Sequence, residues 1–299
     1  MSVYQTYTAK TNKEDLTDVL TEIGQMDTPV FSGLKKVSAK NTLHEWSTYD
    51  YANAATNAQI EGATFTYGAL TAPTRVGNYT QIFNKTFMVS ETQRAVDPAG
   101  MEDEYAFRVQ AGLKEIGRDI EKALVNGTGF SGASGATARK LKGILSFIAT
   151  NISTGTGQAA SAASGRTLSE TELNGLLQDI YSNGGSPDWL IGSFRQKRAV
   201  AELASANRRY VDGQKTFTSA VDVYESPFGM LRVSGDSQMP AGTLCALSKD
   251  MWAVAQLRPV KKIDTALTAD AKNGALVGEL TLEARAEKYN GKLTSLKVS

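Results

Sequence analysis

Few residues in this sequence have the types and spacing that chemistry at a protein site requires. The chain contains one histidine, His44, and one cysteine, Cys245. One histidine cannot form a two-histidine metal site, and one cysteine cannot form an intrachain disulfide or a paired-cysteine zinc site. A Ser-His-Asp triad would have to use His44, which lies beside Glu45 and Trp46 in a segment with strand character. We therefore expect a structural hydrogen bond at His44. Cys245 lies in an apolar run, and free cysteines usually pack as small core residues.

Two short patterns resemble ligand sites without meeting their requirements. Residues 127–132, Gly-Thr-Gly-Phe-Ser-Gly, match the G-x-G-x-x-G pattern of dinucleotide-binding proteins. That pattern must follow a strand and open a helix, because the pyrophosphate rests on the helix N-terminus, and here it follows a predicted helix. Consecutive acids at 102–104 would diverge by about 100° each on a helix, and the first turn of a helix favours carboxylates. The sequence thus predicts no catalytic residue, no cofactor and no metal site, and we expect no enzymatic activity.

Composition sets further bounds on the class of protein. The 299 residues are 41% hydrophobic and 21% charged, which supports a packed core and argues against global disorder. Lys and Arg number 32 and Asp and Glu 31, a formal net charge of +1, so the basic excess of proteins that grip nucleic acid along their length is absent. Residues 1–6 lack the features of a signal peptide, and no window approaches the roughly 20 apolar residues of a membrane helix. We expect a protein made in the cytosol, with no membrane partner.

The first 90 residues predict extended pieces rather than a compact unit. Residues 1–43 form an arm with one short apolar stripe over 15–23, which should lie on its own body or on a neighbour. Residues 44–90 contain two β-prone segments separated by a polar stretch, which predicts a long hairpin reaching away from the body. The middle of that hairpin, residues 52–72, offers few large apolar groups, and these are Ile60, Phe65, Tyr67 and Leu70.

The strongest predicted helix covers residues 98–126. Asp97 is a suitable N-cap, Pro98 suits the first helical position, and Asn126-Gly127 supplies the stop. At 1.5 Å per residue this helix would be about 43 Å long. Its apolar residues recur every three or four positions and predict one buried stripe, made of Met101, Tyr105, Val109, Leu113, Ile116, Ile120 and Leu124.

The rest of the chain mixes helices and strands, which gives an α+β fold class. A capping box at Ser169–Glu172 predicts the start of a helix that ends near Gly184, and a second helix covers 194–206. Short strands are predicted between 189 and 257. Residues 280–287 alternate apolar and polar side chains as a half-buried strand does.

A set of short motifs, in a fixed order along most of the chain, carries a resemblance to a known family. The motifs are residues 28–32 (Thr-Pro-Val-Phe-Ser), 39–46 (Ala-Lys-Asn-Thr-Leu-His-Glu-Trp), Asp50, Glu61-Gly62, 226–231 (Ser-Pro-Phe-Gly-Met-Leu), Met239-Pro240, Trp252, 257–259 (Leu-Arg-Pro) and 278–283 (Gly-Glu-Leu-Thr-Leu-Glu). With these motifs the chain resembles one group of tailed-phage major capsid proteins, which share their fold with encapsulins.

The resemblance implies a domain plan that matches the predicted elements. It implies an N-terminal arm at 1–43, an extended hairpin loop at 44–90 and a peripheral domain at 91–165 built on the spine helix 98–126. An axial α/β domain would follow at 166–257, and closing strands at 258–299 would return to the peripheral domain. In this plan the hairpin contacts the neighbouring subunit through Ile60, Glu61, Gly62, Phe65, Tyr67 and Leu70.

The resemblance also implies a structural function and its partners. Copies of the chain would form the pentamers and hexamers of an icosahedral head around double-stranded DNA, assembled in the host cytoplasm and retained in the virion. Further partners implied are a portal, a separate scaffolding protein and decoration proteins, with only weak, non-specific contact to the DNA. The alternatives are an encapsulin-type nanocompartment that encloses a cargo enzyme and a soluble α/β enzyme.

Overall fold

A computed structural model of the chain describes residues 28–64, 67–96, 103–132, 137–154, 165–206, 223–264 and 269–298. The helices in these residues are α1 (Pro29–Gly33), α2 (Glu91–Ala95), α3 (Glu104–Asn126), α4 (Ile144–Phe147), α5 (Glu170–Ser182) and α6 (Phe194–Ala206). The strands are β1 (Lys35–Ser38), β2 (Leu43–Thr48), β3 (Thr74–Tyr79), β4 (Gln81–Ser90), β5 (Thr128–Phe130), β6 (Lys140–Lys142), β7 (Asn151–Thr154), β8 (Trp189–Gly192), β9 (Val223–Ser226), β10 (Gly229–Gly235), β11 (Leu244–Leu247), β12 (Trp252–Asp264), β13 (Ala271–Ala284) and β14 (Gly291–Thr294).

Two sheets form the body of the molecule. The four-stranded sheet has the order β1-β12-β13-β4, with β1 parallel to β12 and the other pairs antiparallel. The six-stranded sheet has the order β7-β14-β11-β8-β10-β9. Two small ribbons, β2-β3 and β5-β6, stand beside them. The mixture of helices with largely antiparallel sheets agrees with the predicted α+β class.

Helix α3 crosses the four-stranded sheet against β4 and β13. Asp103 is extended and its carboxylate accepts the Tyr105 N–H, so the helix begins at Glu104 and not at Pro98. Its 23 residues span about 35 Å rather than the expected 43 Å. Residues 97–102, which include the expected cap Asp97 and the expected core residue Met101, lie outside the described residues.

The buried face of α3 differs in part from the predicted stripe. Four of the predicted residues are buried and Val109 is half-buried, the buried ones being Tyr105, Ile116, Ile120 and Leu124. Leu113 is 47% exposed, which corrects its assignment to the core. The turn that faces the sheet here presents Gly112, where a Cβ would lie 2.9 Å from a Leu276 methyl, and Leu113 points about 100° away.

Two hydrophobic cores hold these layers together. The first lies between α3, the four-stranded sheet and one face of the six-stranded sheet, and Cys245 is fully buried in it, as expected. The second packs α5 and α6 on the other face of the six-stranded sheet. Helix α5 starts with the predicted capping box. The Ser169 hydroxyl oxygen accepts the Glu172 N–H, and the Glu172 carboxylate accepts the Ser169 N–H. Within the described residues, no helix combines the length and apolar character that crossing a membrane would need.

The described part of the expected arm lies on its own body, which is one of the two placements expected for it, because Val30 and Leu34 are buried and β1 pairs with β12. The structure places two other segments differently from the expected domain plan. Strand β4, expected in the hairpin, pairs with β13 in the four-stranded sheet. Strand β14, expected to return to the peripheral domain, lies between β7 and β11 in the six-stranded sheet. The predicted helical stripe over 15–23 lies outside the described residues.

Candidate subunit interface

A long loop between β2 and β3 is the most exposed apolar feature of the described chain. The two strands pair from Leu43↔Tyr79 to Thr48↔Thr74, and residues 49–64 and 67–73 between them form no helix or strand and are largely exposed. Among the residues expected at a subunit contact, Ile60, Tyr67 and Leu70 are 84%, 92% and 96% exposed. Glu61 and Gly62 are exposed beside them, and Phe65 lies outside the described residues.

The tip of the loop has a defined turn. The Ala63 N–H donates to the Ile60 carbonyl oxygen at 3.1 Å, and Gly62 has a φ of +80°. A side chain at Gly62 would strain this left-handed backbone. Glu61-Gly62 therefore forms a turn that presents the Glu61 carboxylate to solvent.

Two aromatic residues that the sequence reasoning did not select lie at the base of the loop. Tyr49 and Tyr51 are 50% and 89% exposed, and their rings meet edge to face at 5.5 Å between centroids. The signal for them was available, because Tyr49 is the last residue of the first predicted β-prone segment, 43–49, and Tyr51 follows two positions later. On the opposite side, the Asp50 carboxylate accepts from the Lys288 ammonium at 2.6 Å and tethers the base of the loop to the body.

The base of the β2-β3 ribbon packs on the first core. Trp46 contacts Phe147 at 6.1 Å and His44 at 5.8 Å between ring centroids. His44 Nε2 lies 3.1 Å from an oxygen of Glu283, so the structural hydrogen bond expected for His44 is confirmed. The ribbon is thus anchored by apolar and polar contacts before the chain leaves the body.

Asn78 fixes strand β3 to its two neighbours. Its side-chain N–H₂ donates to the carbonyl oxygens of Lys142 and Leu282 at 2.9 and 2.8 Å, and its Oδ1 accepts the Lys142 N–H at 2.8 Å. Three hydrogen bonds from one buried amide set the direction in which the ribbon leaves the body. Sequence reasoning missed this role, because an asparagine in a β-prone run carries no signal of its distant partners.

A buried carboxylate, Glu279, forms a second polar anchor beside Asn78. It accepts from the Thr80 hydroxyl at 2.7 Å, from Arg139 at 2.9 Å and from Arg258 at 2.9 Å. Burial disfavours the charged form, but these hydrogen bonds and the two guanidinium charges hold the pKa of Glu279 below its ordinary value. Glu279 on β13 is therefore an ionised group that ties the residues just before β4 and β6 to the β12-β13 pair.

Glu121 on α3 holds the first described helix. Its two carboxylate oxygens accept the N–H groups of Val30 and Phe31, each at 2.7 Å. The side chain is fully buried. Burial raises the pKa of Glu121 to about 7, the two N–H groups oppose that rise, and the nearby charge of Asp236 adds to it.

The residues that the sequence analysis weighed for chemistry lie in structural positions. No group of three or more His, Cys, Asp and Glu residues with metal-site geometry occurs there. Burial raises the pKa of the Cys245 thiol to about 12, although the Lys292 charge opposes the rise, so the thiolate nucleophile is not formed near neutral pH. Gly127 caps the end of α3, and residues 128–130 begin a small ribbon, not a helix, so the G-x-G-x-x-G segment lacks the geometry of a phosphate site.

Comparisons with known proteins bear on this arrangement. The model of the SU10 major capsid protein family matches residues 3–297. A major capsid protein of Escherichia phage Phieco32 is 28% identical over 127 residues, which cover 42% of this chain and only 36% of that relative's length.

Solved structures share the fold at low sequence identity. A chain of the cyanophage A-1(L) capsid superposes with a TM-score of 0.72 at 12% identity, covering 98% of both chains. A chain of the holo-SrpI encapsulin complex from Synechococcus elongatus superposes with a TM-score of 0.61 at 8% identity, covering all of this chain and 98% of the other. The fold is therefore the one that tailed-phage capsid proteins share with encapsulins.

Proposed function

The chain belongs to the SU10 major capsid protein family and is a structural capsid subunit, and from this premise we propose that it assembles into pentamers and hexamers of an icosahedral phage head. The observation that carries the proposal is the anchored ribbon with its exposed loop, residues 49–73. A two-stranded ribbon is marginal in water by itself, and large exposed apolar side chains mark interaction surfaces. The loop therefore needs a surface outside its own subunit.

In this proposal the loop packs against the surface of a neighbouring copy of the chain. Each of Ile60, Tyr67 and Leu70 would contribute about 1.5–3 kcal/mol on full burial against the neighbour. Glu61 at the turn would face a cation of the neighbour, and Phe65 belongs to the same contact. Repetition of this overlap around each capsomer closes the shell.

The head would enclose double-stranded DNA without gripping it. The balance of 32 basic and 31 acidic residues gives a wall with little net attraction to phosphates, which suits release of the genome. We infer a non-enzymatic subunit that assembles in the host cytoplasm and stays in the virion. A portal, a separate scaffolding protein and decoration proteins would complete the particle.

The decisive test replaces residues 52–72 by an Asn-Gly turn. Because the cores lie elsewhere, this variant should remain soluble and folded, with a wild-type melting temperature, and it should form no closed shells in electron micrographs. A control of full loop length, with Ile60, Tyr67 and Leu70 changed to serine, separates the loss of apolar contact from the loss of reach. Normal shells from the shortened variant would refute the role of the loop.

Amide exchange gives an independent readout on the unaltered chain. Residues 52–64 and 67–72 should exchange rapidly in the isolated subunit and slowly in shells. The contents of native particles separate the two shell functions, because a phage head carries nuclease-protected DNA and an encapsulin-type compartment carries a cargo enzyme. Family membership favours the phage head.

A further inference from the structure

One face of the six-stranded sheet is covered on β8 and left open on β9 and β10. The register places Trp189, Arg232 and Val223 side by side on this face, on β8, β10 and β9. Trp189 belongs to the first core and is only 5% exposed, whereas Val223 is 53% exposed. Met230, two residues before Arg232 and on the same face, is 68% exposed. The described residues thus leave two apolar side chains exposed on the open part of this face.

The described start of the chain already lies on this face. A Cβ on Gly33 of α1 would lie 3.5 Å from the Trp189 ring, so α1 packs directly over β8. At the start of α1, Thr28 and Pro29 line a cleft of about 420 Å³ together with Arg232, Ser234 and Phe194. The chain that precedes Thr28 therefore arrives at the boundary between the covered and the open part of the face.

We propose that residues 15–27 of the same chain cover the open face of β9 and β10. The segment offers an apolar stripe of Leu16, Val19, Leu20 and Ile23 to meet Val223, Met230 and the half-exposed Phe194. Four residues lie between Ile23 and Thr28, so the two Cα atoms are five residue steps apart and at most about 17 Å from each other. That length exceeds the spacing of about 4.8 Å between adjacent strands, so the stripe can reach both β10 and β9.

Charge complementarity supports the same occupant. Residues 15–27 carry four acids and no Lys or Arg, the acids being Asp15, Asp18, Glu22 and Asp27. The cleft is lined by the cations Lys197 and Arg232. Glu225 on β9, the cross-strand partner of Met230 on β10, is an acid on the same face. The segment that joins α6 to β9, residues 207–222, contains three cations and two acids, a net charge of +1. This net charge has the same sign as the cations of the cleft, so the acidic N-terminal segment fits the face better.

Thiol accessibility tests the proposal in the full-length, unassembled subunit. Met230→Cys and Met88→Cys are a matched pair, because the two methionines are 68% and 67% exposed and lie on different sheets. Cys245 is buried and does not contribute to labelling of the folded protein. A thiol reagent should modify Met230→Cys at least about tenfold more slowly than Met88→Cys, because the covering segment must open first.

A second variant identifies the covering segment. Changing Leu16, Val19, Leu20 and Ile23 together to serine should raise the labelling rate of Met230→Cys to that of Met88→Cys and leave Met88→Cys unchanged. Equal rates in the otherwise unaltered chain would overturn the proposal. A slow rate that survives the serine changes would assign the cover to residues 207–222 and overturn it too. A rate that rises on dilution would assign the cover to a second copy and overturn the assignment to the same chain.

Discussion

Replacing Glu121 by glutamine should remove a specific part of the pH dependence of folding stability. The carboxyl has a pKa of about 7 in the folded chain, against an ordinary value of 4.5. The folded state therefore binds a proton more tightly than the unfolded state, and stability from this group falls as pH rises through that interval. The full difference of about 2.5 pH units corresponds to about 3 kcal/mol.

The effect of Glu121 is measurable because it falls in a different pH range from the effects of two other buried carboxyls, which change stability in the opposite direction. The pKa values of Glu279 and Glu283 are lowered in spite of burial, Glu279 by Thr80 and its arginines and Glu283 by Arg285 and His44. Their stabilising contributions are lost only as pH falls below the ordinary carboxyl range. Asp236, whose pKa is raised by burial, acts in the same direction as Glu121 but starts from a lower value.

Urea unfolding at pH values of about 5.5 and 8 gives the test. Between pH 5.5 and 8 the unfolding free energy of the wild-type chain should fall by about 2 kcal/mol through Glu121. In Glu121→Gln this decrease should be absent, because the amide does not titrate. At pH 5.5, where the wild-type carboxyl is mostly protonated, the variant should be less stable by about 1–3 kcal/mol, because the amide N–H₂ cannot accept a backbone N–H whereas the hydroxyl oxygen of the neutral acid still can. Glu115→Gln, on an exposed part of the same helix, is the control that should keep the wild-type pH dependence. Identical pH dependence in wild type and Glu121→Gln would refute the buried-carboxylate reasoning.

Two further substitutions test the core and the anchor of the ribbon. Ile116→Asp places a charge at a site that is 2% exposed and should lower the unfolding free energy by about 3–5 kcal/mol, whereas Leu113→Asp on the same helix should lower it by about 0.5 kcal/mol. Equal melting temperatures of the two variants would contradict the described burial of α3. Asn78→Ala removes the three hydrogen bonds of a buried amide and should lower the free energy of urea unfolding by about 1–3 kcal/mol. Asn57→Ala in the exposed loop is the control and should leave the unfolding free energy unchanged. Wild-type stability of Asn78→Ala would show that these bonds do not anchor β3.

Local patterns predicted the three long helices α3, α5 and α6 and several of the strands, because their signals lie within a few residues. The capping box at Ser169, the helix over 194–206 and the strand after Leu43 follow directly from side-chain types at short spacing. The start of α3 was misplaced because Asp97 with Pro98 and Asp103 are both suitable N-terminal signals. Only tertiary packing selects between such signals.

Pairing between distant strands explains what the sequence could not predict. Lys35 pairs with Ala253, and Gly291 pairs with Asn151, and neither short strand contains a signal for its partner. The loop residues Ile60, Tyr67 and Leu70 were found because apolar groups stand out in a polar stretch. Asn78, Glu121 and Glu279 were missed because a polar residue becomes an anchor only through the distant groups that it meets.

The long β12-β13 hairpin sets the order in which the subunit is completed during synthesis. It supplies both central strands of the four-stranded sheet, between β1 near residue 35 and β4 near residue 85. Until residues 252–284 emerge from the ribosome, α3 and β4 have no sheet against which to bury Ile116, Ile120 and Phe83. Such non-local pairing makes folding slow and leaves apolar surface exposed in the meantime. Nascent chains should therefore need a chaperone at this stage, and the ribbon that carries the loop is aimed only once the body beneath it is complete.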